Sequence, residues 1–232
     1  MSAYRNSLVL RKPEERIVSA DLGAVPQMPH QVIAYCPCFT PGTLIKTSIG
    51  EVPVEMLTTG MQVLRRDNGY QPVVWVGNRA LVDADLSKAP ALKPIKIAQG
   101  ALGRDLPERN TLVSPQHRML LGNEQIREWF DADEVLVAAH LLTCFERVTH
   151  ADVSHVTYIH FMFEQHEIVL ADGAWSESFQ PSDMRVGVMD ERHREELLTL
   201  FPELDEDTQE KYPAARKSVS ADDMKRVIRS EQ

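Results

Sequence analysis

Cys38 opens the run CFTPGTLIKTSIGEVPVEMLTTGMQVL, and far downstream lie Ser114-Pro115-Gln116-His117 and then His166. A thiol is the best side-chain nucleophile near neutral pH. For Cys38 the nearest electrophile is the carbonyl of the residue before it, Pro37. Attack there requires a twisted or strained Pro37–Cys38 peptide, an acid for the departing amide nitrogen and donors for the developing oxyanion. Ser114 and His117 offer a hydroxyl and an imidazole for the last two tasks, on one tight turn because Pro115 blocks a regular strand or helix there. The product of such chemistry is a thioester between Pro37 and the Cys38 sulfur.

The elements that must position these groups read as β. From residue 36 to about 182, short apolar runs recur between turn signals: TLIKT, SIGEVPV, MQVLRR, QPVVWVGNR, PIKIAQG, TLVS, EVLVAAHLLT, VTYIHFMFE and HEIVLADG. Val, Ile, Thr and aromatic residues at this spacing predict an all-β domain of many short strands. Asp67-Asn68-Gly69 marks a hairpin. Within VTYIHFMFE, Val156, Tyr158, His160 and Met162 fall on one face, and Thr157, Ile159, Phe161 and Phe163 on the other. Glu164-Gln165 reads as a turn joining this strand to a paired one that begins at His166. His150, His155 and His160 read as strand or loop histidines without an assigned role, and Cys144 as a core residue.

Both flanks differ in texture. Residues 1–35, punctuated by Pro13, Pro26 and Pro29, read as an N-terminal extension. Residues 183–232 read as a mainly helical acidic tail, with one helix over 190–201, ended by Pro202, and a second after Ser220 with Met224, Val227 and Ile228 on its apolar edge. The Leu-rich stretch 190–201 reads first as a helix packing on the β domain, with docking of a protein partner through this helical tail as the alternative. The formal net charge of −9 argues against a nucleic-acid footprint. No apolar run reaches the ~20 residues of a membrane helix, and the N-terminus does not read as a secretory signal. The expectation is a cytoplasmic protein, with signal-less export left open. Cys36 next to Pro37-Cys38 reads either as an incidental thiol or as a redox brake on Cys38; a ring closed between cysteines one residue apart is strained, which favours the first. A zinc site from Cys36, Cys38 and His117 lacks any CxxC or HxxxH partner pattern, so neither metal nor cofactor is expected.

Three separated blocks carry a family resemblance: CFTPGTLIKTSIGEVPVEMLTTGMQVLRRDNGYQPVVWVG, LVSPQHRMLL and YIHFMFEQHEIVLADGAWSESF, in that order. Together they resemble the Hint domain, the module shared by inteins and Hedgehog autoprocessing domains, and more narrowly the bacterial group ending in a Glu-Ser pair. The resemblance covers roughly residues 36–182. It implies a flat, horseshoe-like all-β fold with pseudo-twofold symmetry and an N-to-S acyl shift at the first cysteine. Residue by residue, Cys38 matches the nucleophile, Ser114 the family's block Thr, His117 the block His that protonates the scissile nitrogen, and His166 the His of the penultimate strand.

Departures from the family pattern narrow the expected activity. Glu177-Ser178 stands where inteins carry His-Asn, so no side-chain amide is present to cyclise and splicing is not expected. Ile159 stands where inteins often have an Asp that assists the acyl transfer. The reading is therefore a single-turnover, self-cleaving cysteine autoprotease acting on its own N-terminal segment. The alternatives are a catalytically silent Hint scaffold serving as a binding module and an ordinary Cys/His hydrolase, for which no orienting Asn or Asp is evident.

Overall fold

The computed structural model describes residues 8–12, 37–179 and 213–230. The described residues form thirteen strands and three α-helices, joined by turns and single helical turns. The strands are β1 (Leu44–Thr47), β2 (Gly50–Pro53), β3 (Gln62–Arg65), β4 (Gly69–Pro72), β5 (Trp75–Leu81), β6 (Ile95–Ile97), β7 (Thr111–Val113), β8 (Arg118–Leu121), β9 (Val135–Ala138), β10 (Val148–His150), β11 (Val156–Met162), β12 (Ile168–Ala171) and β13 (Ala174–Glu177). The helices are α1 (Asp83–Lys88), α2 (Glu124–Phe130) and α3 (Ala221–Ser230).

The fold is all-β, as the spacing of short apolar runs predicts, with a short C-terminal helix. Its largest sheet runs β2-β1-β3-β12-β13-β8-β9, with β4 on β3; β10-β6-β7 and β11-β5 form smaller sheets, and every named strand pair is antiparallel. The Asp67-Asn68-Gly69 signal makes the β3–β4 hairpin, with Gly69 alone taking a positive φ, 64°. Two differences from the sequence reading stand out. The Glu164-Gln165 break does not join paired strands: β11 pairs along its whole length with β5, and β12 pairs with β13, β1 and β3. Helices α1 and α2 interrupt the β texture. They are nucleated by polar side chains that the apolar periodicity ignores: Asp85 accepts the Val82 N–H, and Asn123 accepts the Ile126 N–H at 2.9 Å.

Two apolar clusters divide the interior. The larger one includes Phe39, Ile45, Val63, Val113, Phe145, Ile159 and Phe161; the smaller holds Cys38, Trp75, Leu86, Tyr158, Met162 and Phe179. Neighbouring residues of an extended segment point to opposite faces, so Phe39 enters one cluster and Cys38 the other.

The described parts of both flanks, residues 8–12 and 213–230, pack onto this domain. Arg11 N–H donates to the Cys144 carbonyl at 2.9 Å, Glu146 N–H to the Val9 carbonyl at 2.7 Å, and the Arg11 guanidinium to the carbonyls of Thr143 and Val148. At the other end, Lys217–Val219 lies parallel to β9: Leu136 N–H donates to the Lys217 carbonyl and Val219 N–H to the Leu136 carbonyl, both at 2.8 Å. The helix expected after Ser220 follows, capped reciprocally by Ser220 and Asp223. Its Met224 and Val227 are buried in the larger cluster, so this helix spends its apolar edge on its own domain. The helix expected over 190–201 lies outside the described residues. No helix among the described residues is long and apolar enough to cross a membrane.

Met224→Ala should therefore behave as a core truncation and lower unfolding stability by about 2–5 kcal/mol. Urea denaturation reads this directly. An unchanged midpoint would mean that α3 is a loosely attached tail.

Candidate active site

Cys38 is placed by register. Phe39 exchanges two backbone hydrogen bonds with Ile159, at 2.8 and 2.9 Å, and also bridges Val113 on its other side. Antiparallel pairing that puts Phe39 opposite both residues puts Cys38 opposite both Ser114 and His160. The contacts agree. Ser114 N–H donates to the Cys38 carbonyl at 2.9 Å, and Cys38 N–H donates to Ser114 Oγ at 2.8 Å. Cys38 Sγ lies 3.5 Å from His160 Nδ1. Thr40 Oγ1 donates to the Leu112 carbonyl at 2.9 Å and closes the segment's other end. Pro37, Cys38, Ser114 and His160 are all buried.

His160 is a site residue that the sequence reading left unassigned. Alternation along β11 correctly puts it on the face opposite Ile159. What periodicity could not supply is that Cys38 lies on the His160 side. The imidazole stacks against Trp75, with ring centroids 5.0 Å apart, and against Phe179 at 5.3 Å. Tyr158, on the same face, donates its hydroxyl to the Leu92 carbonyl at 2.6 Å. Burial raises its pKa first, and negative charge at Cys38 adds to this.

His117 sits on the turn that Pro115 enforces. Its N–H donates to the Ser114 carbonyl at 3.1 Å, its own carbonyl accepts the Ala139 N–H at 2.8 Å, and the Pro115 carbonyl accepts the His140 backbone N–H and faces His140 Nδ1, each at 2.9 Å. The ring packs edge-on against Phe39, 4.4 Å between centroids. It is fully buried, and neither ring nitrogen has a hydrogen-bond partner among the described residues. Burial, reinforced by the nearby Arg118 cation, lowers its pKa from 6.5 to about 3, so at neutral pH the ring is uncharged.

His166 belongs to a second polar group. Its Nδ1 accepts the Ala215 N–H at 3.0 Å, and its Nε2 lies 3.3 Å from Glu177 Oε2, close enough for attraction but not aligned as a hydrogen bond. Glu177 also accepts the Arg118 N–H at 2.8 Å and pairs with the Arg118 guanidinium at 3.1 Å. Ser178 is latched to Glu167 by reciprocal bonds, Ser178 N–H to the Glu167 carbonyl at 2.8 Å and Glu167 N–H to Ser178 Oγ at 3.0 Å. Cys38, Ser114 and His160 are thus in direct contact, His117 adjoins them through the turn, and His166 lines up with Glu177, Arg118 and the returning C-terminal segment. Cys36 lies outside the described residues, so the pairing and zinc readings that involve it do too. Among the described residues no group of three or more His, Cys, Asp or Glu side chains could hold a metal ion.

A family model described as "Hint domain" matches residues 37–183. Among solved structures, the chain is similar to the gp41-1 intein, at 13% identity and a TM-score of 0.37 over 60% of this chain and 97% of that one. It is also similar to the AceL NrdHF class 3 split intein, at 14% identity and 0.38 over 61% and 97%, and to a bacterial intein-like domain from Clostridium thermocellum, at 13% identity and 0.36 over 61% and 97%. No curated protein matches the chain.

The depressed pKa of His117 makes a prediction about stability. In the unfolded chain the imidazole protonates near 6.5, whereas in the folded protein it stays neutral down to about pH 3. The unfolded state therefore binds the extra proton across that window, and falling pH costs folded stability by up to about 1.4 kcal/mol per pH unit. His117→Leu should lack this component, so denaturation curves of the two proteins should converge or cross as pH falls. Parallel stability profiles would mean that the folded ring titrates freely.

Proposed function

Because the chain belongs to the Hint domain family, whose model matches more than half of it, we propose that it is a self-processing protein cut at Pro37–Cys38. The reaction is an N-to-S acyl shift. The Cys38 sulfur forms a bond to the Pro37 carbonyl carbon, the bond from that carbon to the Cys38 nitrogen breaks, and the thiol's proton ends on the nitrogen. The products are a Pro37 thioester and a free α-amine on Cys38, with no net gain or loss of protons. Water or an external thiol then resolves the thioester into residues 1–37 and 38–232.

One observation carries this reading: the nucleophile and the leaving group each have a buried polar partner. Ser114 Oγ is 2.8 Å from the scissile nitrogen and His160 Nδ1 is 3.5 Å from the sulfur. Ser114 therefore acts at the nitrogen, orienting the amide hydrogen as the bond pyramidalises. His117, on the same turn, delivers the proton; being neutral at rest, it works as a relay that takes a proton before giving one. His166 holds the end of the domain in place with Glu177. The processing unit is residues 36–182, flanked by an N-terminal arm of residues 1–35 and a C-terminal tail of residues 183–232.

Cleavage proceeds without splicing. Glu177-Ser178 offers no amide that could cyclise, and both side chains are occupied, Glu177 by Arg118 and Ser178 by Glu167. The Glu-Ser ending supports a reading of the chain as one of the bacterial Hint group that carries this pair.

Intact mass of freshly expressed protein tests the reading. Wild type treated with dithiothreitol or hydroxylamine should yield fragments 1–37 and 38–232, while Cys38→Ala stays whole. Ser114→Ala should slow the release about tenfold, the effect of losing one hydrogen bond worth roughly 1.4 kcal/mol. A single full-length species, unaltered by either reagent and matching Cys38→Ala in behaviour, would overturn it.

A further inference from the structure

We infer that His160 is the catalytic base that takes the Cys38 thiol proton, and that residues 75, 77 and 179 build the slot that holds its ring for this purpose. The inference rests on the autoprocessing reading for its consequence, and on geometry for its substance. Cys38 Sγ and His160 Nδ1 are 3.5 Å apart, within contact for a sulfur donor, and both groups are buried. The pairing follows from backbone register, because the Phe39–Ile159 hydrogen-bonded pair makes Cys38 and His160 the adjacent non-hydrogen-bonded pair, in which facing side chains approach most closely.

The slot is specific to a planar ring. Trp75 and Phe179 stack on His160, each with an interplanar angle of 29°. Across the β5–β11 ladder the residue opposite His160 is Gly77. A Cβ there would run into the Trp75 ring and stand 2.7 Å from His160 Nε2, so the missing side chain is what gives the imidazole its place. Histidine and glycine on one register line, with the nucleophile next along it, tie three distant segments to one proton transfer.

In the step itself the Sγ–H bond breaks as the proton moves to Nδ1, and the sulfur's electron pair forms the bond to the Pro37 carbonyl carbon. The carbonyl π pair moves onto oxygen. On collapse the oxygen's pair re-forms the carbonyl and the C–N pair stays with the Cys38 nitrogen, which receives, by way of His117, the proton first taken by His160, so both rings end neutral. The step requires neutral His160 with its hydrogen on Nε2, leaving the Nδ1 lone pair for the thiol.

Ring-nitrogen NMR of full-length protein, with His160→Gln used to assign the signal, reads that requirement without any turnover. Hydrogen on Nε2, with an Nδ1 shift that changes in Cys38→Ala, is the expected result. Hydrogen on Nδ1 would overturn the inference. Thiol-induced release of residues 1–37 is the second arm. His160→Gln keeps polarity and approximate size but cannot take a proton, so release should slow about 100-fold or more, the usual contribution of a general base. Gly77→Ala, which displaces the ring, should slow it as well. Release at the wild-type rate in His160→Gln would overturn the inference even with the expected tautomer. If wild type shows the expected tautomer and yields neither fragment, the autoprocessing reading falls and the thiol–imidazole pair stands.

Discussion

The structure turns on how residues 37–40 are laid between two strands. Phe39 is bonded through its backbone to Ile159 and bridges Val113, and Cys38 is bonded through its backbone to Ser114. Because strand side chains alternate, this one pairing decides three things together. Phe39 becomes a core residue stacked on Phe161 and touching His117. Cys38 is turned into the smaller cluster. Ser114, Cys38 and His160 fall on a single line. A slip of one residue would send the thiol into the apolar core and Phe39 into the site.

Much of the fold was legible in the sequence, and the reasons are local. The β3–β4 hairpin was visible because Asp67-Asn68-Gly69 is a turn signal whatever surrounds it. The helix after Ser220 was visible because its cap and apolar edge lie within ten residues. Partners of β11 were not, since nothing local distinguishes a strand paired with its sequence neighbour from one paired about eighty residues away. Site residues divide the same way. Cys38, Ser114 and His117 stand in recognisable blocks. Alternation alone gives His160 the correct face of its strand, yet the side taken by Cys38 is fixed only by long-range register.

His166 and Glu177 show a different limit. Read as a sequence, each is a charged or titratable residue near the end of a domain. In the fold both are buried, and their partners come from three segments: Arg118 from β8, the Ala215 N–H from beyond residue 212, and each other. A buried carboxylate is tolerable when it is paired and hydrogen-bonded, as Glu177 is by the backbone N–H and guanidinium of Arg118. The C-terminal segment therefore completes the domain electrostatically as well as by packing, since Arg216 also joins Glu134 and Asp67.

Burial also favours the proposed acyl shift over direct hydrolysis at this site. Cys38 is 1% exposed. Moving net charge into such a place is expensive, but the shift from amide to thioester is proton-neutral: one proton leaves sulfur and one reaches nitrogen. Charge separates only transiently, between groups already in contact, where attraction is strong because both are buried. The low pKa of His117 fits the same logic, because a permanently charged imidazolium beside Arg118 would be disfavoured by both burial and repulsion. Resolution of the proposed thioester is different, as it must admit water or a thiol to the buried Pro37. In the proposed reaction the fold therefore favours the first step and shields its thioester product, since Pro37 and Cys38 are both buried.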